Sequence, residues 1–304
     1  MSQTLRLLAG SALFSAMASI ALADPVTVTH AQGELTIEAV PETVIVTDWA
    51  AFDNLSALGV AVAGVPGSNA PAYLVDQVAA DALKVGSLQE PDIEGIAAAE
   101  PDLVIIGARS RTSFPVISGI APTIDASIDN GTLIEGVETR LTQYGEIFGK
   151  TEEAAALIAS LDAKVEEAKA AVEGKGTGLV IVTNAGKIGV YGPQSRVAWI
   201  YTTLNMPSVY DTVDDRDHGG DGISFEYLLE TNPDWLFVVD RDAGVGNEGA
   251  ARALLDNELI HQTSFWQKGQ IVYLEPQAAY VTMHGYQGLI LLLDQVLAAF
   301  NEAG

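Results

Sequence analysis

Cysteine is absent from this 304-residue chain. That excludes disulfides, thiolate zinc sites, iron–sulfur clusters, a cysteine nucleophile and a cysteine-borne lipid. Positive charge is scarce: 15 Lys and Arg stand against 40 Asp and Glu, for a formal net charge of −25. A broad face for nucleic acid needs clustered Lys and Arg, so a phosphate backbone is excluded as a partner and an anionic membrane surface is disfavoured. Only four histidines occur, His30, His218, His261 and His284. They give poor support to Ser–His–Asp triads or three-His zinc centres. No G-x-S-x-G, H-E-x-x-H or P-loop is present. Beyond the first segment no apolar run is long enough to span a membrane; residues 288–300 come nearest and carry Asp294 and Gln295.

Apolar side chains, by contrast, are plentiful at 48%. That is enough to bury a core in one large domain or two ordinary ones. Residues 1–23 have an early Arg6, an apolar stretch from Leu7 and a small-x-small end at Ala21-Leu22-Ala23. This pattern is that of a secretory signal peptide cleaved near Ala23. With no cysteine to carry a lipid, the exported protein needs an outer membrane to retain it, so the expected compartment is the periplasm. So large a negative charge repels itself at low salt. A saline medium would screen it, and the melting temperature is expected to rise with salt.

Alternation of apolar and polar residues over 27–39, with a turn at Gln32-Gly33, predicts a hairpin. Residues 43–47, 103–106, 179–182, 236–239 and 271–274 read as compact apolar strands, and 53–58 as a helix stopped by Gly59. Amphipathic or Ala-rich segments separate them. Strands alternating with helices imply βαβ units and parallel sheets. One long helix is predicted over 151–174, with Thr151 as its cap, Glu152 and Glu153 at its positive end and Gly174 as its stop. Apolar positions 154, 157, 158, 161, 165, 168 and 172 keep to one face. Lying between two βα-type halves, it reads either as a strut joining two lobes or as an ordinary surface helix.

An internal repeat supports the two-lobe reading. Glu94-Gly-Ile-Ala-Ala-Ala-Glu-Pro101-Asp102-Leu-Val-Ile-Ile parallels Glu226-Tyr-Leu-Leu-Glu-Thr-Asn-Pro233-Asp234-Trp-Leu-Phe-Val. In each copy a Glu precedes Pro-Asp by seven residues, an apolar strand follows, and an Arg stands eight residues after the Pro. These arginines are Arg109 and Arg241. An Arg just past the C-terminal end of such a strand lies where open α/β sheets bind ligands. If the lobes face each other, both point into one cleft.

Other residues leave alternatives open. His218, in an acidic Asp-Asp-Arg-Asp-His-Gly-Gly-Asp loop, reads as a solvated side chain or as a metal ligand, and the acids hint at calcium without EF-hand spacing. Tyr280 reads as amphipathic packing, or as a hard oxygen donor whose pKa a trivalent iron would depress. Gly244-Val-Gly246-Asn-Glu-Gly249 formally matches G-x-G-x-x-G after a strand and before a helical stretch, the one pointer to an exported dinucleotide enzyme.

The chain resembles the periplasmic binding proteins of ABC importers for ferric siderophores, in their catecholate-binding branch. The resemblance rests on the Gly33-Glu-Leu-Thr-Ile hairpin, Pro41-Glu-Thr-Val-Ile-Val, Asp53-Asn-Leu-Ser-Ala-Leu-Gly-Val, Val85-Gly-Ser-Leu and Glu90-Pro-Asp-Ile-Glu94. Ile120-Ala-Pro-Thr, Tyr191-Gly-Pro-Gln-Ser-Arg196, Val239-Asp-Arg241 and Leu255-Asp-Asn continue it over nearly the whole mature chain. It implies an α/β fold of two Rossmann-like lobes, 24–150 and 175–304, bridged by one long helix, 151–174. It further implies that Arg109, Arg196 and Arg241 surround an anionic iron complex. His218 and Tyr280 match residues that some members donate directly to Fe(III), and His284 and Tyr286 lie close by as competing donors. Glu94 and Glu226 match the residues that dock to the permease. The expected function is capture of a ferric siderophore without catalysis, by a monomer with no intrinsic cofactor, Fe(III) arriving inside the ligand. Haem, cobalamin and hydroxamate siderophores are the alternative ligands.

Overall fold

The computed structural model describes residues 25–210 and 220–302. The leader expected at 1–23, and the loop carrying Asp214, Asp215, Asp217 and His218, lie outside the described residues. An antiparallel hairpin comes first, β1 (Val26–His30) and β2 (Gly33–Ile37), with His30 opposite Gly33. Then follow β3 (Val44–Val46), α1 (Trp49–Ala57), β4 (Gly64–Val65), β5 (Leu83–Lys84), α2 (Ile93–Ala98), β6 (Leu103–Ile106), α3 (Phe114–Ile117), β7 (Thr123–Asp125) and α4 (Leu133–Ile147). The long α5 (Thr151–Val172) leads to β8 (Gly178–Asn184), β9 (Lys187–Tyr191), α6 (Trp199–Thr202), β10 (Asp221–Ile223), α7 (Phe225–Thr231) and β11 (Trp235–Asp240). The chain closes with α8 (Arg241–Gly244), α9 (Ala251–Leu255), α10 (Ser264–Gln267), β12 (Ile271–Tyr273), α11 (Pro276–Tyr280) and α12 (Tyr286–Glu302).

Two five-stranded sheets form, one from each side of α5, in the orders β5-β4-β3-β6-β7 and β10-β9-β8-β11-β12. The first is wholly parallel. In the second β8, β11 and β12 pair parallel, and β9 alone is reversed, pairing antiparallel with both β8 and β10. The expected parallel sheets are thus present, with one reversed strand entered through the β8–β9 hairpin. Its loop residues Ala185 and Gly186 both take positive φ, 48° and 76°, the twist a two-residue hairpin turn requires.

Successive side chains of a strand point to opposite faces. Val44, Val46, Leu103, Ile105, Val180 and Val182 enter a continuous core shared with α1, α4, α5 and α12. Their neighbours Ile45, Val104 and Ile106 pack in a second layer beneath the outer helices of the first sheet. Leu179, Ile181, Leu236 and Val238 do the same in the second. Both faces are covered, which is why these strands read as unbroken apolar runs.

The repeat has a structural counterpart. Glu100 and Asn232, each just before its proline, hold left-handed φ of 46° and 40° and turn α2 and α7 toward the strands that follow. A proline cannot continue a helix, so the turn is enforced. Each Asp then ties its strand to the start of the neighbouring one. Asp102 accepts hydrogen bonds from the N–H groups of Glu42 and Thr43, and Asp234 from the N–H and hydroxyl of Thr177.

Helix α5 runs for 22 residues, roughly 33 Å at 1.5 Å per residue. It buries Ala154, Leu161, Val165, Ala168 and Val172 against α4 and α12. Thr151 is its first residue and not its cap; the cap position is Lys150, with no side-chain bond. Helix α1 begins at Trp49, four residues earlier than the apolar pattern suggests. The Asp48 carboxylate accepts from the N–H groups of Ala50 and Ala51 and starts it there.

Candidate ligand-binding cleft

Both repeat arginines stand immediately beyond a parallel strand. Arg109 sits in a 3-10 turn (Ala108–Ser113) that follows β6, and Arg241 is the first residue of α8, directly after β11. Arg196 lies in the connection from β9 to α6, and Tyr280 ends α11, beyond β12. The structure brings all four together in one cleft of about 530 Å³. That size suits a small molecule and lies at the strand ends where open sheets bind ligands.

Tyr280 is the centre of the arrangement and is only 6% exposed. Its carbonyl oxygen accepts from Arg109 Nη2 at 2.6 Å and from Arg196 Nη1 at 3.0 Å. Its phenolic oxygen accepts from Arg241 Nε at 3.0 Å. The Arg196 guanidinium carbon lies 4.1 Å from the ring centroid, with Arg241 at 5.5 Å and Arg109 at 5.9 Å. Such placements over a ring are attractive to a cation. Arg109 also donates to the Val281 carbonyl, and Arg241 to the Asn184 side chain. Among the described residues, neither Arg109 nor Arg241 has a carboxylate in ion-pair contact. An acidic protein thus holds a concentrated patch of positive charge, and that patch fits a compact anion rich in oxygen acceptors.

Electrostatics across the cleft follow from burial. Desolvation lowers the Arg109 pKa, opposed by Asp48 and reinforced by Arg196. Burial pushes Asp48 above the usual carboxylate range, against the pull of Arg109 and the N–H groups of Ala51 and Ala50. His284 also lines the cleft. Burial, with Arg109 and Arg196 adding repulsion, brings its imidazole down to about 4. Its Nε2 lies 3.3 Å from the Asn130 side-chain oxygen.

A polar clamp joins the two halves below the cleft. Asp53 accepts from the Tyr73 hydroxyl and from the N–H groups of Gln287 and Gly288, which begin α12. Asn54 accepts from Tyr286 N–H and donates to the His284 carbonyl. The sequence reading missed this clamp. Its one signal was an Asp-Asn pair buried within an otherwise apolar helix, where such side chains disfavour the helix and need partners. It also missed Arg140 and Tyr144 of α4, which line the cleft.

Other expected residues lie elsewhere. Glu94 and Glu226 are exposed in the first turns of α2 and α7, behind the caps Asp92 and Ser224. Tyr286 opens α12 and is not among the residues lining the cleft. His218 is outside the described residues.

The G-x-G-x-x-G segment forms no phosphate cradle. Strand β11 passes straight into α8, whose last residue is Gly244, and α9 is a five-residue helix. The N–H groups of Ala243 and Ala251 are already taken by the Asp240 carboxylate, where a pyrophosphate would have to sit. Gly244 instead permits close packing: a β-carbon there would meet the Pro276 carbonyl and Tyr280 Cβ at 2.8 Å.

Residues 44–278 match the model of a family described as periplasmic binding protein. The chain belongs to that family. The petrobactin-binding protein YclQ of Bacillus subtilis is 32% identical over 262 residues, 84% of this chain and 81% of its own. Its crystal structure superposes with a TM-score of 0.85 at 30% identity, covering 91% of this chain and 99% of that one. The ferric-anguibactin-binding protein FatB of Vibrio anguillarum is 28% identical over 288 residues, 92% of this chain and 89% of its own. The periplasmic catecholate-siderophore binding protein VctP from Vibrio cholerae superposes with a TM-score of 0.83 at 28% identity, covering 92% of this chain and all of that one, 100%. The family supplies the architecture expected from the resemblance, two Rossmann-like lobes and a long connecting helix, and it is a family of binding proteins. Among the described residues, no helix is long and apolar enough to cross a membrane.

Proposed function

We propose that the protein is the ligand-capturing component of an ABC importer for a ferric siderophore of catecholate type, working in the periplasm. The carrying observation is the convergence of Arg109, Arg196 and Arg241, from three different strand ends, on Tyr280. A ferric tris-catecholate carries about three negative charges, which three guanidinium forks neutralise with charge-assisted, planar donors. The petrobactin and ferric anguibactin bound by YclQ and FatB support a siderophore ligand, and the catecholate siderophore of VctP supports the class.

In this reading the lobes comprise 24–150 and 175–304, with 151–174 as the joint, and residues 1–23 are removed on export. The protein acts as a monomer and releases its ligand chemically unchanged. Iron is cargo, held by the siderophore; His218 and the Tyr280 oxygen complete its coordination when the chelator leaves sites open. For Tyr280 this means exchanging its bond from Arg241 for iron. The ligand closes the lobes around the cleft. Glu94 and Glu226, in equivalent first turns on the two lobes, then present their carboxylates to the permease.

Tryptophan fluorescence tests the reading, with the mature protein titrated against ferric tetradentate and hexadentate catecholates, a ferric hydroxamate, haem and cobalamin. Saturable quenching by a ferric catecholate is expected. Arg241→Ala should weaken it by about tenfold or more, the loss of a charge-assisted bond. Quenching by haem, cobalamin or the hydroxamate alone would overturn the ligand class. Glu94→Ala should leave affinity intact and reduce uptake; loss of affinity would overturn its docking role.

A further inference from the structure

Helix α4 places two polar side chains in the cleft wall that the three-arginine cluster does not use. Arg140 is 8% exposed and Tyr144 is 1% exposed. They stand one helical turn apart, on one face, and both line the cleft that holds Arg109, Arg196 and Arg241. Arg140 Nε and the Tyr144 hydroxyl are shut off from solvent, and neither has a hydrogen-bond partner.

Buried polar atoms are seldom left unpaired, and leaving them so is costly. The charge of Arg140 is a further anomaly. Its guanidinium meets only neutral acceptors: the Gln143 side chain at 2.6 Å and the carbonyls of Thr29 and Ser127, both at 3.4 Å. No carboxylate of the described residues is in ion-pair contact with it. A buried cation without a counter-ion is strongly unfavourable. Its two long bonds are weak, so turning the guanidinium toward a better acceptor costs little. Burial raises the Tyr144 pKa, so its hydroxyl stays protonated and remains a donor. Asp48, an acid lining the same cleft, is occupied by the first N–H groups of α1.

We infer that Arg140 and Tyr144 form a second subsite of the cleft, which receives a carboxylate carried by the ligand apart from its iron-binding groups. Two donors, one of them cationic, fit the two oxygens of such a group. The subsite rests on the siderophore reading and deepens it. It makes the protein selective for chelates that pair catechols with a free carboxylate over chelates of catechols alone.

Two synthetic probes test this, the ferric complexes of one bis-catechol chelator with and without a carboxylate on its linker. Wild-type protein should bind the carboxylate form about tenfold more tightly, the gain of a charge-assisted pair. Arg140→Gln and Tyr144→Phe should each erase most of that preference and leave the carboxylate-free probe within about twofold. Tyr144→Phe removes a hydroxyl with no protein partner, so its melting temperature should not fall, which keeps the test valid if Arg140→Gln folds poorly. Equal binding of the two probes by wild-type protein, or equal weakening of both by the variants, would overturn the subsite. If wild-type protein takes up neither probe, the siderophore reading itself is overturned.

Discussion

Arg109 and Arg196 donate to one and the same oxygen, the Tyr280 carbonyl, at 2.6 and 3.0 Å. They reach it from opposite sides of α5, one after β6 and the other after β9. Two like charges pointed at one atom repel, and burial adds to the cost. The carbonyl dipole and the Tyr280 ring offset part of it. An incoming anion offsets the rest, so ligand binding should be coupled to stability through these groups.

The position of Tyr280 depends on a residue that never touches ligand. Gly244→Ala would put a β-carbon 2.8 Å from Tyr280 Cβ and from the Pro276 carbonyl. Overpacking of this kind costs about 1–3 kcal/mol. Thermal melts should show that loss, and chelate titration should show weakened binding as Tyr280 carries the arginine cluster with it. A variant that keeps both properties would disprove the dependence.

His284 should remain neutral at physiological pH, because burial first, and then Arg109 and Arg196, bring it down to about 4. A histidine with a depressed folded pKa contributes stability that is present above its ordinary value, about 6.5, and is lost as pH falls toward 4. NMR titration, with His284→Gln to assign the resonance, should find no titration between pH 5 and 8. A midpoint inside that range would sink the prediction.

Asp53 works in the other direction. Burial pushes its carboxyl up to about 7 despite the bonds from Gln287, Tyr73 and Gly288. The folded protein therefore takes up this proton before the unfolded chain does. Stability from Asp53 is full below the ordinary carboxylate value, about 4, and is lost as pH rises to about 7. Subtracting melting curves of Asp53→Asn from those of the wild type should isolate that decline. Parallel curves across this window would show that Asp53 titrates elsewhere.

The paired Pro-Asp turns predict unequal costs from equivalent substitutions. Asp102→Ala strips partners from exposed N–H groups that water can serve, a loss of about 1 kcal/mol or less. Asp234→Ala leaves half-buried Thr177 groups unpaired, at about 1–3 kcal/mol. Urea midpoints should rank the two variants in that order, and the reverse order would contradict the burial argument.

Local signals set much of this molecule. Apolar runs such as Leu-Val-Ile-Ile fixed β6 to the residue, because a strand covered on both faces tolerates little else. The spacing from Pro-Asp to Arg placed Arg109 and Arg241 beyond strand ends, since helix, turn and strand lengths are properties of the local chain. Helix α5 was legible from its period, and its first turn was misread because Thr151 has helical geometry of its own. G-x-G-x-x-G stayed an open alternative in the sequence because a pattern of glycines records where side chains are excluded and not why. Here the neighbours were Tyr280 and Asp240.

What the sequence alone determined, then, is what neighbours along the chain decide: elements, their order, the repeat and the export signal expected at its start. What only the tertiary structure decided is which distant groups share one small volume. Tyr280 meets Arg109 across 171 residues, and Asp53 caps α12 across more than 230. Arg140 and Tyr144 stand in no motif of the sequence, and only the folded chain shows Arg140 Nε and the Tyr144 hydroxyl buried without a partner. No period or motif encodes that, because an unmet hydrogen bond is defined by everything packed around the atom and not by the chain that carries it.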